Sequence, residues 1–308
     1  MKVLIVANNK HGFAPFVLEQ ARALKERGVQ LSFFGVEGRG GMGYLRCLPQ
    51  LRKTVDSFQP DLVHAHYGLS GLLANLQHHV PVITTYHGSD INKSAVLPLS
   101  KLSIWLSAWN IFVSKANLKK AGLKKHCSLI PCGIDMTDAQ LISRKEARQK
   151  LNIPKDEKLI LFAGAFDNKV KNAPLAFQAV SLLPYEVEFK ELKGYSREEV
   201  TALMCAADAL LLTSFTEGSP QVVKEAMACG CPIVSVDAGD VRERTEGVDG
   251  CCIAKSRDPQ ELADLLKQAL QFKGRTKGRE RLIADGLDNR QVAENLIEIY
   301  RKVIDSNA

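Results

Sequence analysis

Two glutamates eight positions apart stand out as candidate ligands for a hydroxyl-rich molecule. Glu217 follows the apolar segment 209–212, and Glu225 lies one and a half turns into a predicted helix with Ser219 as its N-cap and Pro220 at its first position. Carboxylates there can accept paired hydrogen bonds from vicinal hydroxyls, such as those of a ribose or hexose. A first-turn glutamate that interacts with the helix dipole explains either residue alone, but explains both poorly.

A pair of lysines forms the second candidate group. Lys169 and Lys171 follow the strand-like segment 159–164, and Asn172 with Pro174 marks the start of the next helix. Positive side chains at the positive end of a helix are repelled unless an anion is bound there. A diphosphate would resolve the conflict, and each charge-assisted contact could contribute about 1.5 to 3 kcal/mol. Two solvated lysines on a loop are the alternative.

Histidines after two neighbouring strands form the third candidate group. His87 follows segment 81–86, where an imidazole could hydrogen-bond a sugar hydroxyl or stabilise developing charge. His64 and His66 end segment 62–66, and the two-residue period of a strand puts both rings on one face. Together with His87 they could instead form a three-histidine metal site, or they could be structural.

Two further motifs are weaker. The glycines at 38–43 match the Gly-x-Gly-x-x-Gly dinucleotide pattern, but they follow the second strand, so we predict a mobile loop. Cys229 and Cys231 could hold a metal. No second pair at Cys-x-x-Cys spacing and no histidine in the second half completes such a site, so reduced, buried thiols are favoured.

Basic residues are concentrated in the first half of the chain. Residues 1–140 hold 16 Lys and Arg against 8 Asp and Glu, whereas residues 141–308 hold 25 against 26. Such a basic surface attracts anionic lipids or phosphorylated ligands. The apolar stretches are far shorter than the roughly 20 residues that span a bilayer, and residues 1–7 are too short for a signal-peptide core. We therefore expect a cytoplasmic protein.

The elements that must position these residues alternate between short apolar strands and helices, which predicts an α/β fold with parallel sheets. A polar, turn-prone junction at 132–142 separates two series, and a last helix spans 289–304 with Asp288 as its cap. The predicted strands are 2–7, 29–36, 62–66, 81–86, 109–113 and 128–131, then 159–164, 186–190, 209–212, 233–236 and 251–254. Ligands of open parallel sheets bind at the carboxyl ends of the strands, so the candidate residues should meet in a cleft.

The whole chain resembles the retaining glycosyltransferases of the GT-B fold, in the group 1 family (glycosyltransferase family 4). The motifs that carry the resemblance are Val63-His-Ala-His-Tyr67, Thr85-Tyr-His-Gly88, Ile130-Pro-Cys-Gly-Ile-Asp135, the block from Glu217 to Glu225 with the following Ala-Met-Ala-Cys-Gly-Cys-Pro, and Gly239-Asp-Val-Arg-Glu243. The resemblance implies two Rossmann-like doubly wound domains that face each other across a cleft. Residues 1–135 would bind the acceptor and residues 140–285 the nucleotide sugar, while residues 286–308 would form a helix that packs back on the N-terminal domain.

The resemblance also implies roles for single residues at the donor. Glu225 matches the glutamate that binds the nucleotide ribose. Glu217 matches the one beside the donor sugar, with the backbone amides of Gly218 and Ser219 nearby. Lys171 matches the basic residue that neutralises the leaving diphosphate.

Further positions follow from the same resemblance. His87 matches a histidine close to the sugar and the acceptor, and Gly12 corresponds to a glycine-rich loop near the phosphates. Ala165 stands where the family usually has an arginine, six positions before Lys171, and Lys169 could substitute for that arginine. His87, Glu217 and Lys171 are accordingly the expected catalytic residues.

The implied reaction moves a sugar from a nucleoside diphosphate sugar to an acceptor hydroxyl with retention, by a hexosyltransferase that needs neither a metal nor a cofactor. We expect a role in cell-surface polysaccharide or glycolipid synthesis, with a lipid-linked or polysaccharide acceptor. Peripheral contact between the basic N-terminal domain and an anionic membrane is expected, and no nucleic acid partner. The alternatives are a sugar-nucleotide epimerase of the same fold, a metal-dependent hydrolase built on His64, His66 and His87, and a silent binding module.

Overall fold

The computed structural model describes residues 1–38, 40–136 and 142–306. The chain forms two compact units, of which unit 1 comprises Met1–Asp135 with Leu287–Ala308, and unit 2 comprises Met136–Gly286. Each unit is a parallel sheet with flanking helices, as the alternating pattern predicts. Residues 137–141 of the predicted junction, including the start of the predicted second domain at residue 140, lie outside the described residues.

Six parallel strands form the sheet of unit 1, in the order β2-β1-β3-β4-β5-β6. Their bounds are β1 (Lys2–Asn8), β2 (Gln30–Val36), β3 (Leu62–His66), β4 (Val82–Tyr86), β5 (Trp109–Phe112) and β6 (Cys127–Leu129). The helices of unit 1 are α1 (Pro15–Lys25), α2 (Gly40–Leu45), α3 (Leu48–Phe58), α4 (Gly68–Asn75), α5 (Ser89–Asn92), α6 (Leu97–Leu106), α7 (Lys115–Ala121) and α15 (Asn289–Asp305). Because both faces of the sheet carry helices, every residue of β3 and β4 is buried.

The last helix, α15, completes the core of unit 1. The Asp288 side chain accepts a hydrogen bond from the backbone of Arg290 and caps the helix as predicted. Its apolar stripe, which includes Val292, Leu296 and Tyr300, is buried in one cluster with residues of β1 and α1. A helix that follows unit 2 in the sequence therefore forms part of the core of unit 1.

Helices α4 and α6 pack closely because glycines of one meet serines of the other. A Cβ atom on Gly68 would lie 2.2 Å from Ser100 Oγ, and one on Gly71 would lie 2.4 Å from Ser103 Oγ. Such distances are shorter than any ordinary contact, so only glycine fits at both positions. The inner face of α6 is thus lined by small polar residues.

Five parallel strands form the sheet of unit 2, in the order β11-β10-β9-β7-β8. Their bounds are β7 (Leu159–Phe162), β8 (Glu188–Glu191), β9 (Ala209–Leu212), β10 (Ile233–Val236) and β11 (Cys251–Ala254). The helices of unit 2 are α8 (Arg144–Lys150), α9 (Ala173–Ser181), α10 (Arg197–Ala206), α11 (Gln221–Ala228), α12 (Val241–Thr245), α13 (Pro259–Gln271) and α14 (Gly278–Ala284). All residues of β7, β9 and β10 are buried.

Two local predictions are wrong. Residues Gly40–Leu45 form the short helix α2 instead of a mobile loop, and its Tyr44 is buried against the sheet, while Arg39 lies outside the described residues. Helix α11 begins at Gln221, so Pro220 occupies the N-cap position and Ser219 lies before it. Among the described residues, no helix has the length and apolar character needed to cross a membrane.

We expect Leu296→Ala to lower the free energy of unfolding of unit 1 by about 2 to 5 kcal/mol, because it opens a cavity at a side chain that is 1% exposed. Both tryptophans, Trp105 and Trp109, belong to unit 1, so urea unfolding followed by tryptophan fluorescence reports on this unit. Glu298→Ala, on the exposed face of the same helix, is the matched control. Equal stability of the two variants would contradict the assigned role of α15.

Candidate functional site

Lys171 and Glu217, the best-matched pair from the sequence, come together at the carboxyl edge of the unit 2 sheet. Lys171 follows β7 and Glu217 follows the adjacent strand β9, and Nζ of the lysine lies 2.7 Å from Oε1 of the glutamate. Both side chains are mostly buried, at 18% and 15% exposed. The anion beside the lysine is therefore a protein carboxylate. Lys171 directly precedes Asn172, the N-cap residue of α9, and the charge pair fixes the orientation of its ammonium group.

Backbone contacts hold the lysine turn against the loop after β9. Lys169–Lys171 form a single 3-10 turn, and the Thr213 hydroxyl donates to the carbonyl of Lys171 at 2.9 Å. The amide of Phe215 donates to the carbonyl of Val170 at 2.9 Å. Gly164 lies under the aliphatic stem of Lys171, because a Cβ there would come within 2.9 to 3.1 Å of it. The lysine is thus positioned by the chain on three sides.

Arg257, which sequence reasoning missed, holds the same loop from another direction. Its guanidinium donates to the carbonyls of Thr213 at 2.9 Å and Ser214 at 2.7 Å, and it lies over the ring of Phe215. Phe215 is 60% exposed. An arginine 44 residues away along the chain therefore stabilises the loop that carries Glu217, and no local sequence signal marks it.

Glu225 pairs with a different cation from Glu217. Its carboxylate, 17% exposed, forms an ion pair with Arg197 at the start of α10. The arginine is the first residue of α10, the helix that follows β8, so the pair connects α11 to the end of another strand. The structure therefore presents the two glutamates in separate ion pairs, each at the carboxyl edge of the sheet. Arg197 was missed in the sequence because its partner lies 28 residues away.

Ser219 is engaged with a buried carboxylate and does not cap α11. Its hydroxyl donates to Asp240 Oδ2 at 2.8 Å, and Arg244 Nε donates to the same oxygen at 3.2 Å. Burial raises the pKa of Asp240. Gly239 has φ +66°, and a Cβ there would lie 2.6 Å from the carbonyl of Gly218. The loops after β9 and β10 are therefore locked together around Gly218 and Ser219.

Lys169 and the loop around Ala165 lie on the exposed side of this region. The side chain of Lys169 is exposed, whereas Ala165 is partly buried. A further basic residue, Lys193, reaches this loop from the end of β8 and pairs with Asp167 at 2.5 Å. Lys193 is thus a second cation near Ala165, the position at which the resemblance led us to expect an arginine. Lys193 was not identified from the sequence.

In unit 1, His87 is held by contacts to both ring nitrogens. Its Nε2 lies 3.1 Å from His66 Nδ1, and its Nδ1 lies 3.6 Å from Cys132 Sγ. The rings of Phe16 and Tyr67 pack at centroid distances of 4.7 and 4.6 Å. His87, at its predicted position after β4, therefore has both ring nitrogens in contact with protein groups and two aromatic rings packed beside it.

A buried aspartate orders the backbone that carries His87. The Asp90 carboxylate accepts hydrogen bonds from the amides of His87 at 3.1 Å, Gly88 at 2.9 Å and Gly68 at 3.1 Å. Burial raises the pKa of Asp90 to about 6, and the backbone donors oppose that rise. Asp90 thus joins the loops after β3 and β4, a role that sequence reasoning missed although the Gly-Ser-Asp turn signals a side chain that bonds to the backbone.

These loops border a cavity of about 410 Å³ within unit 1. Its lining combines aromatic and polar groups with one buried carboxylate and one lysine. The lining residues are Asn8, Gly12, Ala14, Tyr44, Tyr67, Leu69, Ser89, Asp90, Lys93 and Val96. Gly12, with φ +86°, therefore lies at the wall of a cavity at the carboxyl ends of β1, β3 and β4. Such a mixture of apolar walls and a few polar groups is typical of small-molecule sites.

The three histidines come together but do not form a metal site. His64 and His66 stack at 4.6 Å, as the two-residue period predicts, and His66 stacks on His87 at 5.3 Å. His64, however, bonds Tyr300 through Nδ1 at 2.6 Å and Thr85 through Nε2 at 2.8 Å. In the part of the chain that the structure describes, no group of three His, Cys, Asp or Glu is arranged to hold a metal ion. Within the described ranges, the geometry therefore offers no three-ligand site for the metal-dependent hydrolase alternative.

The cysteines have the free-thiol state that the packing interpretation predicts, but only some of them are buried. All eight are free thiols. Cys231 is buried, and burial raises the pKa of its thiol to about 11. Cys229, Cys251 and Cys252 are only half-buried. These residues therefore pack at the edge of the unit 2 core.

Two family profiles match the chain. The profile described as "Glycosyltransferase Family 4" matches residues 11–138, and the one described as "Glycosyl transferases group 1" matches residues 184–271. A Bacillus subtilis protein whose name assigns it to teichuronic acid biosynthesis, the glycosyltransferase TuaC, is 25% identical over 67% of this chain. The match spans 60% of the length of that relative.

Solved structures resemble the whole chain. Sucrose-phosphate synthase of Thermosynechococcus elongatus has a TM-score of 0.82 at 16% identity, covering 99% of this chain and 100% of that one. HepE of Anabaena in complex with UDP has a TM-score of 0.77 at 17% identity, covering 98% and 100%. At such identities the likeness concerns the fold, and it confirms the predicted GT-B architecture.

We expect unit 1 to lose stability as the pH falls below about 6.5, because His66 is held neutral. Burial lowers its pKa to about 3 and also lowers that of His64, so the unfolded chain binds protons that the folded state does not. For His66 alone, the cost at about pH 5 is about 2 kcal/mol. Asp90 opposes part of the loss, since its raised pKa makes the folded state bind a proton first.

Urea unfolding at about pH 7.5 and pH 5, followed by tryptophan fluorescence, measures the effect as the difference between the parent and His66→Gln. The variant should lose about 2 kcal/mol less than the parent on acidification. His11→Asn, which replaces an exposed histidine, should follow the parent. An identical pH dependence of His66→Gln and the parent would contradict a neutral His66.

Proposed function

Because the chain belongs to the group 1 glycosyltransferases, we propose that it transfers a sugar from a nucleoside diphosphate sugar to an acceptor hydroxyl, with retention of the anomeric configuration. The observation that carries the proposal is the pair of Lys171 and Glu217 at the carboxyl edge of the unit 2 sheet. It places a fixed positive charge and a hydroxyl-accepting carboxylate side by side. These are the two groups that the diphosphate and the sugar of such a donor require.

Unit 2 binds the diphosphate through Lys171 and the start of α9. The ammonium group already has one anionic partner, Glu217, and its remaining protons can bond to phosphate oxygens. Lys169, two residues before Lys171 in the same turn, is exposed, and Lys193 reaches the loop that precedes this turn. The amides of Gly218 and Ser219, held in place by the contacts to Gly239 and Asp240, donate to the same ligand.

Glu225 binds the ribose of the nucleotide. Its carboxylate is oriented by Arg197 on one side, which leaves acceptor capacity for two vicinal hydroxyls. Glu217 then lies next to the sugar, where it accepts from a hydroxyl while still paired with Lys171.

Catalysis rests on stabilising the charge of the departing diphosphate. Negative charge grows on the phosphate oxygens as the bond to the sugar breaks, and Lys171 is already oriented before this happens. The departing diphosphate accepts the proton of the incoming hydroxyl on the same face of the sugar, which retains the configuration. His87, fixed by His66 and Asp90, hydrogen-bonds to the transferred sugar. The proposed hexosyl transfer uses no bound metal and no further cofactor.

The acceptor binds in the cavity of unit 1. Tyr44, Tyr67 and Asn8 offer stacking surfaces and hydrogen bonds of the kind that sugar rings use. The name of the relative TuaC, which refers to a cell-wall polymer, supports a polysaccharide or glycolipid acceptor. The proposed site of action is the cytoplasmic face of a membrane.

We expect Glu225→Gln to weaken nucleotide binding by about tenfold or more, because a neutral amide replaces a charged acceptor for the ribose hydroxyls. Titration calorimetry with UDP, GDP and ADP measures the effect and identifies the preferred base. Glu198→Gln, an exposed glutamate at the start of α10, is the control and should bind like the parent. If Glu225→Gln binds nucleotides as well as the parent does, Glu225 does not bind the ribose.

We expect Lys171→Ala to lower the rate of donor cleavage by at least about a hundredfold, and Lys171→Arg to restore part of it, since the charge at the departing diphosphate is lost or kept. Release of nucleoside diphosphate from a panel of nucleotide sugars measures the rate. Proton NMR of the first-formed product tests retention. Deuterium entering the sugar carbon skeleton in heavy water, without nucleotide release, would favour an epimerase over the transferase.

A further inference from the structure

Helix α6 buries Ile104 but exposes three of its large apolar side chains, which is unusual for a helix of a monomeric protein. Its inner face buries Ser100 and Ser103 against the glycines of α4. Its outer face exposes Leu99, Leu102 and Trp105, at 37%, 44% and 79%. These three residues are spaced three apart and therefore share one side of the helix. A surface helix ordinarily has the opposite arrangement, with apolar residues inward.

The exposed apolar surface extends onto a second helix. A Cβ atom on Gly41 of α2 would lie 3.9 Å from Leu99 Cδ1, so the two helices are neighbours. On α2, Met42 is 68% exposed and Leu45 is 46% exposed. We call these five exposed side chains, Met42, Leu45, Leu99, Leu102 and Trp105, the α2–α6 patch. Contiguous exposed apolar residues of this kind mark an interaction surface.

Positive charge surrounds the patch. Lys101 is exposed between Leu99 and Leu102, and Lys93 is exposed just before α6. From α7, Lys120 reaches the carbonyl of Asn92, the residue before Lys93, at 3.5 Å. Unit 1 as a whole holds 19 Lys and Arg against 11 Asp and Glu. Two copies of this surface would repel each other, whereas an anionic surface would be attracted.

We propose that the α2–α6 patch docks unit 1 onto an anionic phospholipid bilayer. Leucine and methionine side chains enter the acyl region, tryptophan lies at the headgroup level, and the lysines contact the lipid phosphates. The helix lies in the plane of the interface and does not span it. Neither a nucleotide sugar nor an acceptor is needed for this contact, and the inference adds to the proposed membrane location the surface that makes the contact.

The patch adjoins the cavity of unit 1. Tyr44 of α2, and Lys93 and Val96 before α6, line that cavity, and they are direct chain neighbours of patch residues or of α6. A bilayer on the patch would therefore lie next to the proposed acceptor site. In this respect alone the inference rests on the proposed function, because it supplies a route for a lipid-linked acceptor.

Vesicle flotation tests the proposal with the full chain. The parent should bind phosphatidylcholine vesicles that contain about one third phosphatidylglycerol, and bind pure phosphatidylcholine at least about tenfold more weakly. Leu102→Ser with Trp105→Ala should weaken binding to the anionic vesicles at least about tenfold. Lys101→Gln should weaken it about fivefold. Ile283→Ser, which replaces an apolar residue 52% exposed in unit 2, is the matched control and should bind like the parent.

A fluorescence measurement places the contact at α6. The chain has two tryptophans, so Trp109→Phe leaves Trp105 as the reporter. Its emission should shift to shorter wavelength on addition of anionic vesicles and be quenched by brominated lipid. The proposal is overturned if the parent does not bind anionic vesicles, if the double variant binds as well as the parent, or if Trp105 emission stays unchanged.

A fourth result would reassign the patch. Concentration-dependent self-association of the parent without lipid, abolished in the double variant, would make the patch an interface between copies and overturn the proposal. Nucleotide binding by calorimetry should be the same in the double variant and the parent. Loss of nucleotide binding in the parent itself would contradict the proposed function and leave the vesicle result standing, so the two failures are distinguishable.

Discussion

All strands of each sheet run in the same direction, and this constraint determines where chemistry can occur. Strands such as β3, β4, β9 and β10 are buried along their whole length, so their side chains must serve the core. Ligands of such sheets bind at the loops that follow the carboxyl ends of the strands. Residues far apart in sequence therefore meet at one edge, as Lys171 and Glu217 do across 46 positions.

Ion pairs and charge-assisted hydrogen bonds give those loops a defined shape. Lys171 with Glu217, Glu225 with Arg197, and Ser219 with Asp240 each connect two different strand ends. A side chain held in this way keeps its orientation before a ligand arrives, so little reorganisation remains for the moment of binding. In unit 1, Asp90 does the same with backbone amides, at the cost of a raised pKa for its own carboxyl group.

The sequence predicts the fold better than it predicts the partners within the site. Strands β3, β9, β10 and β11 have the predicted bounds, because short apolar runs between turn residues are a local signal. The position of Glu217 next to Lys171 follows from the rule that parallel strands end at one edge. Arg197 and Arg257 carry no such signal, since their contacts depend on how distant loops pack. The exposure of apolar side chains on α6 was not predicted either, because apolar residues of a helix are normally expected to be buried.

The return of α15 to unit 1 also has a consequence during synthesis on the ribosome. Val3 and Ile5 are translated almost three hundred residues before Leu296 and Tyr300, which belong to the same core cluster. Unit 2 is complete by Gly286 and has all its strands before α15 exists. Unit 2 can therefore be complete while unit 1 still lacks part of its core, and the apolar surface that α15 covers stays accessible to chaperones until this helix has been synthesised.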